Sequence, residues 1–258
     1  MLVAIVREPG AALPRCDLVH RAREPIDVAL AVRQHRAYCA RLVELGVRAI
    51  ALAPESELAD AAFVEDVLVV LDEAAVVARP ASEARRAEVE RVTDAVRPYR
   101  RVLHIDAPGT LEGGDVLPVG DVVYLGLSTR TNLEGYRQLE RLLLPYGYRI
   151  EPVEVARCLH LKTGCSFLGR GTVLVNPNWV ALPATGRLER IEVHPDEPYA
   201  ANALRVGETV LMADSCPRTV QGVRERGFAV VTVEVAELMK AEAGPSCLSV
   251  LFAAEEQG

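Results

Sequence analysis

Lysine is nearly absent from this chain of 258 residues, in which Lys162 and Lys240 are the two that occur. The positive charge is therefore almost all arginine, and the formal net charge is -7 because 36 acidic residues outnumber 29 basic ones. Proteins that bind nucleic acid need a basic face to neutralise phosphate groups. The composition argues against a nucleic-acid partner and is better suited to a cationic ligand.

Long apolar runs are also missing. No stretch of about eighteen uncharged apolar residues occurs, so no membrane-spanning helix is expected. The first ten residues, MLVAIVREPG, lack the basic flank and long apolar core of a secretory signal. The six cysteines are scattered without a CxxC pair, which gives no indication of a zinc or redox motif and predicts reduced thiols. We therefore expect a cytoplasmic protein that contacts no membrane.

What the sequence does contain is a repeated pattern of short β-runs around a turn, most of them followed by an amphipathic helical stretch. The C-terminal strand 247–252 has no partner after it and the N-terminal strand 1–6 has none before it, so these two are expected to form a fifth hairpin. Self-similarity at about 40 to 50 residues is the signature of a radial or stacked array. We predict an α/β fold of five strand–strand–helix–strand units in a single domain, 1–258. The predicted hairpins are 63–80, 113–132, 161–177 and 200–218, the helices 33–45, 83–96, 133–144 and 217–226, and the strands after them 48–54, 101–108, 148–155 and 228–235.

Five chemically distinctive residues lie at equivalent places in these units. Glu65, Glu112, His160, Asn202 and Cys247 each stand at the start of a hairpin, separated by 47, 48, 42 and 45 positions. In a closed radial array, equivalent positions converge on the central axis. The spacing alone therefore predicts one mouth lined by carboxylates, an imidazole and a thiol.

Cys247 and His160 are the candidates for covalent chemistry. A thiol needs a nearby base or cation to ionise at neutral pH, and a departing amine needs a proton, so one histidine can serve both halves of a covalent cycle. Taken singly, most free cysteines are small buried hydrophobes, and a core or structural histidine is the commoner case. Cys158 and Cys165 lie close to His160 in sequence and are rival nucleophiles.

Two acidic pairs, Glu65 with Asp66 and Glu112 with Asp115, stand at hairpins although carboxylates are disfavoured inside strands. One alternative is that they cap turn amides, particularly Asp115 beside two glycines. Inward acidic groups bordered by apolar runs are nevertheless costly to bury without a cation. A guanidinium satisfies such groups because its planar fork donates paired hydrogen bonds and keeps its charge. The pattern indicates an arginine-like ligand.

The motifs FVED, LEGGD, S-x-RTN, LHLKTG, YAAN and G-x-SC-x-S, in this order along nearly the whole chain, resemble the dimethylarginine dimethylaminohydrolase family of the guanidine-modifying, or pentein, superfamily. LEGGD is shared across that superfamily, whereas the compact length, LHLKTG and the near-terminal cysteine narrow the resemblance. The resemblance implies a five-bladed ββαβ propeller with pseudo-fivefold symmetry. It also implies hydrolysis of Nω-methylated arginine to citrulline and methylamine or dimethylamine, with no metal or other cofactor.

The same resemblance implies roles for individual residues. Cys247 is the expected nucleophile, His160 the general acid and base, and Glu112 a carboxylate beside them. Substrates of this family are small molecules, and its members are monomers or homodimers. The expected substrate-binding residues are Asp60, the guanidinium clamp Glu65 and Asp66, the carboxylate-gripping Arg85 and Arg130, and Leu18 and Ala241 for the α-amino group.

Two other classes of function remain open at this point. An arginine or agmatine deiminase-like hydrolase, or an amidinotransferase, uses the same thiol chemistry and differs in its products. A non-catalytic propeller that binds ligands or macromolecules would keep the fold without the reaction. The N-terminal loop 10–24, rich in charge, is the candidate for a lid over the site.

Overall fold

The computed structural model of the chain describes residues 1–183 and 188–255. Its strands are short, and most of them come in hairpins followed by a single strand further along the chain. The strands are β1 (Leu2–Arg7), β2 (Val47–Leu52), β3 (Leu68–Val70), β4 (Ala74–Val77), β5 (Arg101–His104), β6 (Val116–Val119), β7 (Val122–Leu127), β8 (Arg149–Val155), β9 (Cys165–Gly169), β10 (Thr172–Val175), β11 (Val180–Ala181), β12 (Glu189–Glu192), β13 (Leu204–Val206), β14 (Thr209–Ala213), β15 (Ala229–Val233) and β16 (Ser249–Ala253).

Within the described residues these strands form five small sheets with one shared pattern. In each sheet two strands pair as an antiparallel hairpin and a third joins in parallel, as in β3–β4–β5, β6–β7–β8, β9–β10–β12 and β13–β14–β15. The fifth sheet closes the chain on itself, because β16 pairs antiparallel with β1 and β1 pairs parallel with β2. The predicted pairing of the two terminal strands is thus confirmed, and β11 extends the second sheet beside β8.

The helices lie near their predicted places, but two of the predicted starts are wrong. The second helix was predicted from 83 and begins at Val89, after the 3₁₀ turn Ala84–Glu88. The first was predicted to begin at position 33, but it begins at Val28 because the side chain of Asp27 accepts a hydrogen bond from the backbone N–H of Leu30 and caps it. Between β10 and β12 the described part of the chain has no helix, so the third unit departs from the predicted pattern. The helices are α1 (Val28–Glu44), α2 (Val89–Val96), α3 (Leu133–Leu143), α4 (Leu161–Gly164), α5 (Pro217–Glu225) and α6 (Ala236–Met239).

A short helical turn precedes the first strand of each hairpin, and these turns carry the chemically distinctive residues. Four of them are the 3₁₀ turns Val64–Val67, Gly113–Asp115, Pro198–Ala201 and Pro245–Leu248, and the fifth is α4. The turn of Val64–Val67 contacts those of Gly113–Asp115 and Pro245–Leu248, and α4 contacts the turns on either side of it in sequence. Residues far apart in the chain are thereby brought into one place.

The core fills the space on both faces of the sheets. In β1, Val3 and Ile5 pack into one apolar cluster whereas Ala4 and Val6 pack into another. Side chains alternate across a strand, so a strand covered on both faces has an unbroken apolar sequence. This accounts for the run LVAIV. No helix in the described ranges is long and apolar enough to cross a membrane.

Candidate active site

Cys247 lies in the 3₁₀ turn Pro245–Leu248, directly before β16, and its side chain is buried. Its sulfur lies 3.4 Å from the amide nitrogen of Asn202. Burial, together with the negative charges of Glu65 and Asp66, raises the pKa of the Cys247 thiol to about 12. The thiol is therefore neutral near pH 7 in the free protein. It needs additional positive charge close to the sulfur to ionise.

His160 is the N-cap residue of α4 and is also buried. Its Nε2 lies 2.8 Å from Oε2 of Glu112, and its Nδ1 lies 3.7 Å from Oδ1 of Asp66. Burial alone lowers the pKa of His160, but the charges of Asp66, Glu112 and Asp115 outweigh burial and raise the pKa to about 9. The imidazole is therefore protonated at neutral pH, ready to act as an acid.

The glycines of LEGGD allow this close approach. A Cβ on Gly114 would lie 2.7 Å from the imidazole Nδ1 of His160 and 2.7 Å from Oδ1 of Asp66, closer than real side-chain contacts allow. Asp115 accepts hydrogen bonds from Ser128 Oγ at 2.6 Å and Thr131 Oγ1 at 2.7 Å, and from the backbone at the start of α4. Asp115 is therefore a structural anchor, as the turn-capping alternative proposed.

Asp66 has one carboxylate oxygen in use and one free. Oδ2 accepts a hydrogen bond from Arg85 Nη1 at 2.8 Å, whereas the buried Oδ1 has no hydrogen-bond partner among residues 1–183 and 188–255. Burial raises the pKa of Asp66, but His160 and Arg85 outweigh burial and hold the pKa below its ordinary value. A buried anionic oxygen without a donor is a suitable acceptor for a ligand N–H.

Arg85 and Arg130 both lie near Glu112, at 3.6 and 3.9 Å. Arg85 is buried and bonds Asp66, Glu88 at 3.0 Å and two backbone carbonyls, so its donors are already engaged. Arg130 is less constrained, with Nη1 at 3.4 Å from Asp17 and at 3.9 Å from Glu112. Arg130 therefore has donors to offer to a further anion.

Glu65 does not join its neighbour Asp66 in this cavity. Its carboxylate accepts hydrogen bonds from Lys162 Nζ at 2.6 Å and Ser246 Oγ at 2.8 Å, and it lines a second cavity bordered by the hairpin strands. Successive residues of a 3₁₀ turn point in different directions, which separates Glu65 from Asp66. The predicted role of Glu65 in the guanidinium clamp is therefore wrong, because Glu65 is paired with Lys162.

The opposite end of the cavity is formed by the N-terminal loop. Asp60 lines the cavity, and its Oδ2 accepts a hydrogen bond from the backbone N–H of Asp17 at 3.3 Å. Burial raises the pKa of Asp60 to about 6. Ala241 and Asp17 also line the cavity, and the side chain of Leu18, next to Asp17, packs against the apolar core.

Glu242 ties this loop to the site, a contact that the sequence does not reveal. Its Oε1 accepts hydrogen bonds from the backbone N–H groups of Val19, His20 and Arg21 at 3.1, 2.6 and 2.6 Å. The residue is buried, lines the cavity and has a backbone φ of 59°. One carboxylate therefore holds three successive amides of the predicted lid.

The other thiols and the acidic cluster offer competing chemistry. Cys247 lines the cavity and Cys158 and Cys165 do not, so neither is a rival for Cys247 on position. Ligand atoms of Asp66, Glu112 and His160 lie within 4.8 Å of one another, close enough to hold a metal ion. The guanidinium of Arg85 already supplies positive charge to both carboxylates, at 2.8 and 3.6 Å. The two carboxylates are therefore already paired with a cationic side chain, and the expectation of no metal stays a prediction.

Comparison with known proteins places this arrangement in a family. The chain is 37% identical over 228 residues to the dimethylarginine dimethylaminohydrolase of Pseudomonas aeruginosa, covering 88% of this chain and 90% of that protein. Its identity to the Streptomyces coelicolor enzyme of the same name is 37% over 248 residues, covering 96% and 95% of the two chains. The chain belongs to the dimethylarginine dimethylaminohydrolase family.

Solved structures and a broader family description agree with this assignment. A variant of the Pseudomonas aeruginosa dimethylarginine dimethylaminohydrolase complexed with citrulline superposes with a TM-score of 0.92 at 35% identity, covering 97% of this chain and 98% of that one. The family model for arginine deiminase matches residues 58–200. The N-terminal domain of a cyanobacterial arginine dihydrolase has a TM-score of 0.87 at 19% identity, covering 98% of both chains, and shares the fold.

With the family known, most of the predicted site lies together. The cavity brings together Asp60, Asp66, Arg85, Arg130, His160, Ala241 and Cys247, and Glu112 lies directly behind His160. Leu18 and Glu65 lie outside its lining. The lining residues that sequence reasoning did not single out are Asp17, Phe63, Leu159, Glu242 and Ala243.

Proposed function

We propose that this protein hydrolyses Nω-methylated L-arginine to citrulline, releasing dimethylamine from asymmetric dimethylarginine or methylamine from monomethylarginine. The observation that carries the proposal is the convergence of Cys247, His160 and the free oxygen of Asp66 in one buried cavity. A thiol, a protonated imidazole and an anionic acceptor are the groups that displacement of an amine from a guanidinium requires. Its family relatives include a protein solved in complex with citrulline.

The substrate guanidinium binds first, with its N–H groups on Oδ1 of Asp66, the carboxylate that lines the cavity. Asp66 holds the planar cation beside the sulfur of Cys247, and such positioning contributes several kcal/mol, up to about 7 to 11 in favourable cases. The cation also reverses the local charge around the thiol. Its positive charge lowers the pKa of Cys247, the thiol proton leaves to solvent, and the thiolate forms where it is needed.

The thiolate then attacks the guanidinium carbon and a carbon–sulfur bond forms. The bond from that carbon to the methylated nitrogen breaks as His160 donates its proton to the departing amine. The products of this half are neutral methylamine or dimethylamine, neutral His160 and a cationic S-alkylthiouronium on Cys247. Proton donation by a positioned histidine contributes roughly 10²- to 10⁴-fold.

Water completes the cycle. Neutral His160 removes a proton from a water molecule, and the oxygen bonds to the thiouronium carbon. The carbon–sulfur bond then breaks, the hydroxyl proton returns to the sulfur, and citrulline leaves. Cys247 is again a thiol and His160 an imidazolium, so each turn of the cycle consumes one water molecule.

The amino-acid end of the substrate lies toward Arg130 and the N-terminal loop. We assign the α-carboxylate first to Arg130, whose donors are at 3.4 Å or more from their present partners. A second contact from Arg85 requires the substrate carboxylate to replace Glu88, whose pKa burial raises to about 7. Asp60, Ala241 and backbone groups of the loop at Asp17 and Leu18 surround the α-ammonium group.

The same proposal includes the arrangement of the sheets. The five sheets form the blades of one propeller with pseudo-fivefold symmetry, in a single domain 1–258, with the site at one end of the axis. The shared strand pattern of the sheets and the contacts among the turns that precede the hairpins support this. Two further expectations stay predictions. They are that the protein is a monomer or a homodimer, and that it is cytoplasmic.

A product assay tests the proposal against its siblings. Purified protein incubated with asymmetric dimethylarginine is expected to release citrulline and dimethylamine in equal amounts. An arginine deiminase would instead produce ammonia from arginine, and an amidinotransferase would need a second amine as acceptor. Turnover of arginine with none of the methylated substrates contradicts the proposal.

A further inference from the structure

Asn202 contacts the reactive sulfur, yet the reaction described above gives it no role. Its amide nitrogen Nδ2 lies 3.4 Å from Sγ of Cys247, and the side chain is buried. It directly follows the 3₁₀ turn Pro198–Ala201 and lies two residues before β13, as Cys247 lies two residues before β16. The residue therefore lies within the group of turns that builds the site.

The orientation of the Asn202 amide is determined by its neighbours. Its Oδ1 accepts a hydrogen bond from the backbone N–H of Ser246 at 3.0 Å. Because a backbone N–H can only donate, the oxygen must face Ser246, and the amide nitrogen must then face the sulfur. Gly244 packs against the other side, where a Cβ would lie 2.4 Å from Cγ of Asn202. The position next to Asn202 therefore requires glycine, and the hydrogen bond from Ser246 determines which way the amide faces.

The surroundings of the sulfur explain why an N–H donor matters there. The nearby charges of Glu65 and Asp66 oppose a thiolate, and no cationic side chain is bonded to the sulfur in the described residues. Hydrogen bonds from Asn202 and from the backbone of Gly244 act in the opposite direction and lower the pKa of Cys247. A donor that is fixed before the reaction stabilises an anion without reorganising.

We infer that Asn202 is a catalytic residue whose amide N–H stabilises the anionic sulfur of Cys247. It does so twice in each cycle, when the thiolate forms and again when the sulfur leaves the thiouronium carbon. The inference rests on the proposed function for its place in the cycle, but the contact between Asn202 and the sulfur exists in the free protein. The state of the free thiol can therefore be tested separately from turnover.

Asn176 provides a matched control. It is buried, its Nδ2 donates to the backbone carbonyl of Pro198 at 3.0 Å, and its Oδ1 accepts from the backbone N–H of Asn178 at 3.0 Å. It thus makes one donated and one accepted bond, as Asn202 does, but neither bond is to the nucleophile. A purely structural asparagine in this fold is expected to behave as Asn176 does.

The experiment compares Asn202→Asp, Asn202→Leu and Asn176→Asp with the unchanged protein. Asn202→Asp keeps an acceptor for Ser246 and loses the donor, whereas Asn202→Leu removes the donor without adding charge. The first measurement is the rate of alkylation of Cys247 by iodoacetamide in the absence of substrate, between pH 7 and 9, read by mass spectrometry of the Cys247 peptide. The second is kcat and KM on asymmetric dimethylarginine, with circular dichroism to establish folding.

In both Asn202 variants, alkylation of Cys247 is expected to be slower by up to about tenfold. A rise of one unit in the pKa of the thiol lowers the thiolate fraction tenfold. They should lose about 10- to 150-fold in kcat with KM little changed, as expected when a hydrogen bond to a charged group is removed. Asn176→Asp should alkylate at the unchanged rate. Folded Asn202 variants that alkylate at the unchanged rate overturn the inference, even if kcat falls. If the unchanged protein does not turn over the substrate, the proposed function fails and the alkylation rates still decide the role of Asn202.

Discussion

His160 and Glu112 are hydrogen-bonded, with 2.8 Å between Nε2 and Oε2. Glu112 lies at the start of one hairpin and His160 at the start of the next, 48 positions later. The carboxylate fixes the ring and helps to keep it protonated. The acid in the proposed reaction therefore depends on its neighbours, since the charge of Asp66 and the hydrogen bond to Glu112 together keep the imidazole protonated.

Glu112→Gln tests this dependence. Loss of the negative charge is expected to lower the pKa of His160 from about 9 toward its ordinary 6.5. Because the protonated form is the acid, the alkaline limb of the kcat profile should move to lower pH, and kcat at pH 8 should fall roughly 10²-fold or more. The measurement is kcat against pH for the variant and the unchanged protein. Profiles with the same alkaline limb would show that Glu112 does not control the acid.

Proton release on binding tests the state of the thiol. Because the pKa of Cys247 is raised to about 12 in the free site, the arriving cation must displace the thiol proton. We expect a guanidinium compound that is not turned over to release up to about one proton near pH 8, seen by calorimetry in buffers of different ionisation enthalpy. Cys247→Ser should bind with clearly less release, because only other groups such as His160 remain to lose a proton. Equal release by both proteins contradicts the assigned source of the proton.

Glu65→Gln and Asp66→Asn separate two neighbours that the sequence treats alike. Asp66 faces the cavity, so Asp66→Asn should reduce kcat/KM about 30-fold or more, as expected when one partner of a buried charge pair is lost. Glu65 lies outside the lining of that cavity and accepts a hydrogen bond from Lys162 at 2.6 Å. Glu65→Gln should therefore mainly lower the free energy of unfolding, by roughly 3 kcal/mol, because it breaks this buried pair. Kinetics and urea unfolding of both variants check this. A larger kinetic loss in Glu65→Gln than in Asp66→Asn would restore the predicted clamp.

Glu242→Ala tests the attachment of the N-terminal loop. Removing its carboxylate leaves the amides of Val19, His20 and Arg21 without their acceptor. Hydrogen exchange at these three amides should become at least tenfold faster, and KM should rise more than kcat falls. Glu197→Ala is the control, because Glu197 also accepts from two backbone amides, at 3.0 and 2.7 Å, but does not line the cavity. Exchange that stays slow in Glu242→Ala excludes the carboxylate as the anchor.

Much of the fold followed from sequence because the repeat is local. Each hairpin has its own turn residues, and the regular spacing brought Glu112, His160 and Cys247 into one place without any contact information. The spacing also places Asn202 at the start of its hairpin. Because an amide side chain does not titrate, its residue type gives no indication of a catalytic role. The start of α1 was missed because a single cap residue, Asp27, decides it.

The remaining parts of the site depend on direction and distance that a sequence does not contain. Glu65 and Asp66 are adjacent in the same short turn, and the choice of which one faces the cavity depends on Lys162 and Ser246 from other units. Glu242 meets Val19 across 223 positions. No periodicity links residues so far apart, and only the folded chain brings them together.

Trapping the covalent intermediate tests the central claim most directly. Protein quenched in acid during turnover of asymmetric dimethylarginine should contain the S-alkylthiouronium on the peptide of Cys247, and Cys247→Ser should contain neither adduct nor activity. An adduct on Cys158 or Cys165, or citrulline formation by Cys247→Ser, would contradict the account.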